Sequence, residues 1–344
     1  MTTPVKPRRR GGLFGRDAVA GWLFIAPVVA ILGLFLVLPV LTAAWVSVSD
    51  WTGRGSPLSS QVDFVGADNY ASLLTEPGLP QRDFGTAIRN NTYYVLIVVP
   101  IQTAVALLLA LLVNKRLLAA RGFFRTAFYF PSVTSSVAIT VLFLFLFSAT
   151  GPVNQILAVF GADGLNWFAD PRGVLHLGLE SVGVDAPAAL TGGGLFGLSW
   201  WEWLSGPSVA LCVFVIMAVF TTSGTFMLLF LAALQNIPPE VEEAAVMDGA
   251  NSWQRLRRVT LPLLRPTLFT VLTLGLIGTW QVFDQIYTGT QGGPAKTTLT
   301  PAYLSYSSSF LNQQWGQGAA IAFILFAIIV ALTIVQRILL RNRT

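Results

Sequence analysis

Six long apolar stretches constrain the fold of this chain more than any other feature. A helix needs roughly 20 apolar residues to cross the ~30 Å hydrocarbon core of a bilayer. The stretches that reach or approach this length are residues 21–46, 92–113, 127–147, 208–234, 266–287 and 318–335. Only 11% of the residues are charged, less than half of the roughly 25% found in soluble domains. The sequence therefore predicts an all-α integral membrane protein with six transmembrane helices.

The first apolar stretch could instead be a signal peptide. Its apolar run is about twice as long as the 7–15 residues of a signal-peptide core, and no convincing cleavage site with small residues follows it. Pro27 and Pro39 interrupt the stretch, which helices embedded in lipid tolerate. We therefore expect a retained transmembrane helix.

Basic residues lie mainly on one side of the predicted membrane. The N-terminal tail (1–17), two of the connecting loops and the C-terminal end hold 16 of the 21 Lys and Arg residues. The other loops hold Arg54, Arg82, Arg89, Arg172 and Lys296. Because basic loops stay in the cytoplasm, we expect both termini to be cytoplasmic. Topology and anionic lipid suffice to explain the net charge of +5, so no nucleic-acid partner is expected.

The sequence gives no sign of a catalytic, metal or nucleotide site. Cys212 and His176 are the only residues of their kinds, which excludes a disulfide framework and a zinc site built from Cys and His. No segment matches the P-loop pattern. The glycine-rich run 192–197 fits a dinucleotide-binding pattern, but no predicted strand precedes it, and a flexible loop explains it better. We predict no catalytic residue, no metal and no cofactor.

The longest predicted outer loop, residues 148–207, contains an aromatic segment. Residues 195–204 read LFGLSWWEWL and lie just before the fourth apolar stretch. Because Trp favours the level of the lipid headgroups, an interfacial helix or hairpin is expected there.

The loop of residues 236–265 is the only predicted inner loop that contains acidic residues. Pro239 suits the first position of a helix, and the glutamates that follow are favoured by the helix dipole. Gly249 can adopt a left-handed conformation and end this helix, and a second helix is expected over residues 252–259. Small residues leave the surface of this helix–turn–helix open to another protein. They are Ala244, Ala245 and Ala250.

The spacing in this loop resembles the EAA loop of ATP-binding-cassette importer permeases. Glu243-Ala244-Ala245 is followed after three residues by Gly249, and after nine more by Val259, which replaces the family's usual isoleucine. Leu261-Pro262 completes the pattern. The sequences DGA (248–250) and TLPL (260–263) resemble the sugar-permease branch of that family in particular.

Resemblance to this branch covers about residues 18–340. FVGADNY (64–70) and TQGGP (290–294) look like family motifs in the loops after the first and fifth spans. The segment 171–207 departs from the family, because the outer loop is about thirty residues longer than usual.

The resemblance implies a type I importer permease fold, with residues 18–344 as the permease domain, in the cell membrane of a prokaryote. Two permease subunits, the second being a homologous and usually distinct chain, would form the pathway. Two cytoplasmic ATPases would hydrolyse ATP, so this subunit is not itself an enzyme, and an extracytoplasmic binding protein would deliver the solute. Residues 240–258 would form the coupling helix that docks on the ATPase. The residues implied in this coupling are Glu240, Glu243, Ala244, Ala245, Asp248, Gly249, Ala250, Leu261 and Pro262.

Polar residues within the spans are candidates for the substrate pathway. They are Ser132, Ser136, Thr221, Thr222, Thr225, Thr279 and Gln281. Ser132 and Ser136 are four residues apart, as are Thr221 and Thr225, so each pair is predicted to share a helix face. Ser and Thr also join membrane helices by packing, and this alternative stays open.

The chemistry of these candidates favours a neutral sugar. Glycerol phosphate would require cationic partners, which the spans lack, although a second permease could supply them. A different class is a secondary transporter driven by an ion gradient. Such proteins carry paired ionisable residues near the midplane and an inverted repeat, and neither is visible here.

Overall fold

The computed structural model describes residues 16–115, 120–161, 164–183 and 187–341. Apart from Arg16 and Asp17, the basic tail predicted over residues 1–17 lies outside the described residues. The helices are α1 (Arg16–Leu32), α2 (Leu38–Ser47), α3 (Asp68–Leu74), α4 (Leu79–Asn114), α5 (Arg121–Val133), α6 (Ser136–Leu146), α7 (Pro152–Val159), α8 (Val174–Ser181), α9 (Ala188–Thr191), α10 (Trp200–Trp203), α11 (Val209–Gln235), α12 (Pro239–Met247), α13 (Ser252–Arg255), α14 (Leu261–Leu263), α15 (Arg265–Trp280), α16 (Asp284–Gly289), α17 (Pro301–Tyr306) and α18 (Trp315–Arg341).

Short irregular elements complete the fold. Three π-helical turns extend or join helices; they are Gly33–Val37, Leu256–Thr260 and Ser307–Leu311. Strands β1 (Gly194–Leu195) and β2 (Leu198–Ser199) pair antiparallel in a small hairpin just before α10. The aromatic segment 195–204 thus forms part of a hairpin and one helical turn.

Five helical segments of the described chain are long and apolar enough to cross a membrane. They are Val19–Ser47, Leu79–Asn114, Val209–Gln235, Arg265–Gly289 and Trp315–Leu339. The pair α5 and α6 makes a sixth if it counts as one span, but the two helices meet at an angle of 95°. The predicted all-α membrane fold is confirmed, whereas the prediction of one continuous helix over residues 127–147 is wrong.

The bend between α5 and α6 has a local basis in the sequence. Thr134 and Ser135 have extended ψ angles of 147° and 129° and interrupt the helix. The segment around them reads PSVTSS, and Ser and Thr favour caps and turns over helix interiors. Ser132 therefore lies on α5 and Ser136 begins α6, so the prediction that they share one helix face is wrong.

Helix α4 begins at Leu79, thirteen residues before the predicted start of the second span. Pro80 lies in its first turn, where the missing amide hydrogen costs no helical bond. At 1.5 Å per residue its 36 residues extend for about 54 Å, far more than the ~30 Å of hydrocarbon. Part of α4 must therefore project beyond the apolar core of the bilayer.

The core forms where α4 packs against α11 and α15. Gly224 of α11 permits close approach, because a Cβ there would collide with the carbonyl oxygen of Phe128 in α5. Gly275 of α15 does the same next to the side-chain amide of Gln102 in α4. Small residues at such crossings let membrane helices pack closely. In contrast, the most apolar window of the first segment is 0% buried within the chain and remains available to lipid or to another subunit.

Candidate functional site

The 236–265 loop folds into short helices, and α12 is the first of them. Glu240 and Glu242 lie in the first turn of α12, where the dipole favours them. At its end, the amide of Ala250 donates to the carbonyl of Ala245 (3.0 Å), and the amide of Gly249 donates to that of Val246 (2.9 Å). With φ of +76° at Gly249, this is a Schellman cap, the helix end that glycine allows most readily.

The second helix of the loop starts with a reciprocal cap. The Asn251 side chain accepts from the amide of Gln254 at 2.9 Å, and the Gln254 side chain accepts from the amide of Asn251 at 2.9 Å. Helix α13 then continues through a π-helical turn into α14, which leads to α15. The loop therefore has a defined shape although it packs little against the bundle.

Most of the residues predicted for coupling lie on the surface of this loop. Those that are exposed are Glu240, Glu243, Ala244, Asp248 and Gly249, whereas Ala245, Ala250, Leu261 and Pro262 are half-buried.

The same surface exposes large apolar side chains beside its acids. Met247 is 86% exposed, Trp253 66% and Val246 52%. Among the described residues, no ion pair neutralises the loop's glutamates or Asp248. Exposed apolar groups next to unpaired charges mark a surface suited to binding another protein.

Two adjacent open cavities on the helical bundle are lined by the predicted pathway residues, of which Thr225 and Gln281 are exposed. The first, of about 280 Å³, is lined by Ser132, Ser136 and Thr225. The second, of about 270 Å³, is lined by Thr279 and Gln281. Thr221 and Thr222 line both. The structure thus brings all seven predicted residues together around two neighbouring cavities, which we call the pathway cavities.

The threonine hydroxyls of these cavities mostly bond within their own helices. Thr221 Oγ1 donates to the Met217 carbonyl (3.0 Å) and Thr279 Oγ1 to the Gly275 carbonyl (2.7 Å). Thr222 Oγ1 lies 2.6 Å from both the Ala218 carbonyl and Gln102 Oε1. Of these contacts only Thr222–Gln102 joins two helices, so hydroxyl-mediated helix pairing does not account for the set.

Three buried polar atoms at the pathway cavities have no hydrogen-bond partner among the described residues. They are Ser132 Oγ, Ser136 Oγ and Gln102 Nε2. An unsatisfied buried group costs about 1–3 kcal/mol, and native structures contain few of them. The three residues line the cavities, but these atoms have almost no accessible surface, so a ligand reaches them only when the side chains rotate.

Several cavity residues were missed by the sequence analysis. Gln102 lines the second cavity, and Gln285 lines both. An amide in the middle of an apolar span is itself a sign of function, so Gln102 could have been predicted. Gln285 follows the break between α15 and α16, and no sequence signal marks that break.

The sequence from residue 102 to residue 344 matches the family described as the binding-protein-dependent transport system inner membrane component. The chain belongs to this family. It is 32% identical over 329 residues to the lactose transport system permease protein LacF of Rhizobium radiobacter, covering 94% of this chain and 95% of LacF. It is 33% identical over 282 residues to the arabinooligosaccharides transport system permease protein AraP of Halalkalibacterium halodurans, covering 81% and 76%.

Solved structures support the fold of this family member. A bacterial ABC transporter involved in the import of the acidic polysaccharide alginate contains a chain that matches with a TM-score of 0.71. The match covers 96% of this chain and 98% of that chain at 20% identity. The type I importer permease fold predicted from sequence is therefore confirmed.

Membership of the family also selects among the classes considered above. The chain is an inner-membrane component of a transport system that depends on a binding protein. This does not fit the alternative of a secondary transporter driven by an ion gradient.

Proposed function

We propose that this permease forms half of the pathway of an ATP-driven importer for a neutral sugar or oligosaccharide. The seven hydroxyl and amide residues that the fold gathers around the pathway cavities carry the proposal. A sugar presents many hydroxyls that can both donate to and accept from such groups. LacF and AraP, which carry lactose and arabinooligosaccharides in their names, point to the same class of solute.

The charges around the cavities favour a neutral solute over glycerol phosphate. Asp284 is the one charged residue among those that line the pathway cavities, and it bears a negative charge. Phosphate is usually bound by Arg or Lys. Among the described residues that line the pathway cavities, a phosphate ester would meet no cation.

The proposed assembly contains a second permease subunit, two cytoplasmic ATPases and an extracytoplasmic binding protein. The exposed surface of α12, with Glu243 and Met247, docks on an ATPase. Closure of the ATPases on ATP then moves the helices joined to this loop as a body, and the pathway cavities change the side to which they open. ATP hydrolysis takes place in the partner chains.

Transport by the reconstituted complex tests the proposal. The chain is purified with its partner subunits and binding protein, and ATP-dependent uptake into liposomes is measured for labelled neutral oligosaccharides and for glycerol phosphate. We expect uptake of a neutral sugar only. Uptake of glycerol phosphate alone, or uptake driven by a proton or sodium gradient without ATP, would contradict the proposal.

The proposed topology, with both termini in the cytoplasm, has its own test. In a Cys212→Ala background, Ser56→Cys and Ser181→Cys should react with a membrane-impermeant thiol reagent added to intact cells. Asn251→Cys should react only after the membrane is opened. Labelling at position 251 from outside would reverse the orientation.

A further inference from the structure

A third cavity lies at the other end of α4 from the 236–265 loop. It measures about 420 Å³ and is bounded by the start of α4, by the enlarged loop that precedes α11 and by residues 295–297. We call it the Arg89 cleft. It shares no lining residue with the pathway cavities, so a solute inside the pathway does not have to pass through it.

The projecting part of α4 places the outer rim of the cleft beyond the lipid. Arg82 precedes Thr92, where the apolar run of α4 begins, by ten residues, which is about 15 Å of helix. The headgroup layer on one side of a bilayer is only about 5–8 Å thick. The outer rim of the cleft at Arg82 therefore stands in water, where a soluble partner has access. Arg89 lies deeper, three residues or about 4.5 Å before Thr92, at the level of the headgroups.

Four of the five basic residues assigned to the outer side line this cleft. They are Arg82, Arg89, Arg172 and Lys296. Three of them have carboxylate partners: Arg82 pairs with Glu202 (2.7 Å), Lys296 with Asp83 (2.7 Å), and Arg172 with Asp170 (2.7 Å) and Glu180 (3.5 Å).

Arg89 differs from the other three cations. No ion pair joins it to a carboxylate of the described residues. Its guanidinium donates to Asn90 Oδ1 (3.0 and 3.3 Å) and to the backbone carbonyl of Glu202 (3.2 Å). These bonds use three of the five N–H groups. A half-buried cation that lines the cleft thus has two N–H groups without a hydrogen-bond partner among the described residues.

The acids nearby are already occupied. Glu202 Oε1 receives the bond from Arg82, and its Oε2 accepts the amide and hydroxyl of Ser199 at 2.8 and 3.0 Å. Burial opposes its ionisation, but the Ser199 bonds and the charges of Arg82 and Arg89 outweigh burial and hold the pKa of Glu202 below its ordinary value. Glu202 therefore stays ionised and committed to Arg82 at neutral pH.

The walls of the cleft are fixed to one another before any partner arrives. Lys296–Asp83 joins the 295–297 segment to α4, and Arg82–Glu202 joins α4 to α10. Tyr93 Oη also donates to the Trp203 carbonyl at 2.6 Å. A preorganised site loses less conformational freedom on binding, which favours affinity.

From these observations we infer that the Arg89 cleft is a docking socket for an acidic side chain of the extracytoplasmic binding protein. The incoming carboxylate accepts the free N–H groups of Arg89, and the binding protein sits on the enlarged outer loop and the projecting turns of α4. This inference rests on the proposed function, because it requires that binding protein.

The test measures ATPase activity of the complete reconstituted transporter against the concentration of solute-loaded binding protein. For Arg89→Gln we expect the concentration for half-maximal stimulation to rise about tenfold, with the maximal rate unchanged. Arg89→Lys should recover part of this loss, because it keeps the charge. Arg54→Gln is the matched control, since Arg54 is an exposed outer cation that does not line the cleft, and it should behave as the wild type. In the wild type, raising the salt from 50 to 500 mM should weaken stimulation several-fold, and less so in Arg89→Gln.

Three results would overturn the inference. One is an unchanged half-maximal concentration in Arg89→Gln. Another is a rise in the solute concentration required while the dependence on binding protein stays the same, which would make the cleft a solute site. The third is a wild-type stimulation that does not respond to salt, which decides the matter even if Arg89→Gln fails to assemble. If the wild type instead shows no stimulation by any binding protein, the proposed function fails rather than this inference.

Discussion

The 236–265 loop and the pathway cavities keep binding capacity available in opposite ways. The loop exposes its groups: Met247 and Trp253 face outward, and its acids have no ion-pair partner among the described residues. The cavities gather hydroxyls and amides along open walls, and leave Ser132 Oγ and Ser136 Oγ buried and unpaired among the described residues. A large protein partner can cover an exposed surface, whereas a small polar solute needs a concave site lined by polar groups. The two regions therefore differ in which substitutions should harm which step.

Charge reversal at Glu243 should have the largest effect. Glu243→Lys replaces an exposed acid on α12 with a cation. A basic group of the ATPase that attracts Glu243 would repel the new lysine. We expect loss of ATPase from the purified complex and loss of uptake, with the membrane helices intact. Retention of the ATPase in a pull-down is the measurement. Glu242→Lys is the matched control, because it makes the same charge change about 100° around the helix.

The Glu243 prediction has a clear contrary outcome. If Glu243→Lys keeps its ATPase and supports normal uptake, or if Glu242→Lys is equally harmful, the docking face has been assigned wrongly.

The cap at Gly249 should give the next largest effect. A Cβ there meets nothing within 4 Å, so the cost of substitution comes from φ of +76° alone. Gly249→Val should destabilise the turn by about 1–2 kcal/mol and reduce uptake, whereas Gly249→Asn should be milder, because Asn tolerates this conformation. Uptake and ATPase retention of the two variants are compared. Equal activity of both would show that the conformation of the turn does not matter.

In the cavities, Thr222→Val should weaken transport without affecting docking. Valine removes a hydroxyl that lines both cavities and so leaves a hydroxyl of the bound sugar without a partner; it also removes the bond to Gln102 Oε1. The expected loss of about 1–3 kcal/mol corresponds to a roughly 5- to 150-fold change in apparent solute affinity. Thr103→Val is the control, since Thr103 is buried on α4 but bonds only its own helix and lines neither cavity. The apparent affinity is obtained from the uptake rate measured against sugar concentration and corrected for the amount of assembled complex. If uptake falls only in proportion to the amount of assembled complex, Thr222 has a role in helix packing and not in solute binding.

Ser132→Ala should have the smallest effect and separates binding from stability. Because Ser132 Oγ is buried and unpaired, its removal should leave the thermal stability unchanged or raise it. If the hydroxyl binds solute, apparent affinity should still fall by about two- to tenfold, the equivalent of one ordinary hydrogen bond. Ser223→Ala, at a buried serine that bonds to its own helix, should leave transport unchanged. A fall in stability for Ser132→Ala without a change in affinity would contradict the binding role.

The sequence predicted the elements that depend on local patterns. Apolar runs are long enough to show the spans, and Gly249 ends α12 as its position suggested. The seven hydroxyl and amide residues were predicted as pathway candidates from their chemistry and from a family resemblance. Their common location depends on packing of α5, α6, α11 and α15.

Other features could not be found in this way. Residues 79–91 read as a polar loop because hydropathy does not report a helix that leaves the bilayer, and burial of Phe84 and Ala87 shows that packing supports it instead. The Arg89 cleft depends on pairs such as Lys296–Asp83, which are 213 residues apart in the chain. No local pattern encodes such a pair.

The continuity of α4 has a mechanical consequence. One uninterrupted helix carries Arg82, at the rim of the Arg89 cleft, near one end, Gln102 near its middle and Asn114 at the other end. If α4 tilts by about 10° as a rod about its centre, a rotation of the size seen in subunit movements, each end is displaced by about 5 Å over a half-length of about 27 Å. Groups near the centre hardly translate and mainly change their angle. A force applied at the Arg89 cleft would therefore reach the cavity wall as a rotation. Pro100 lacks an amide hydrogen, so the helix bends most easily there.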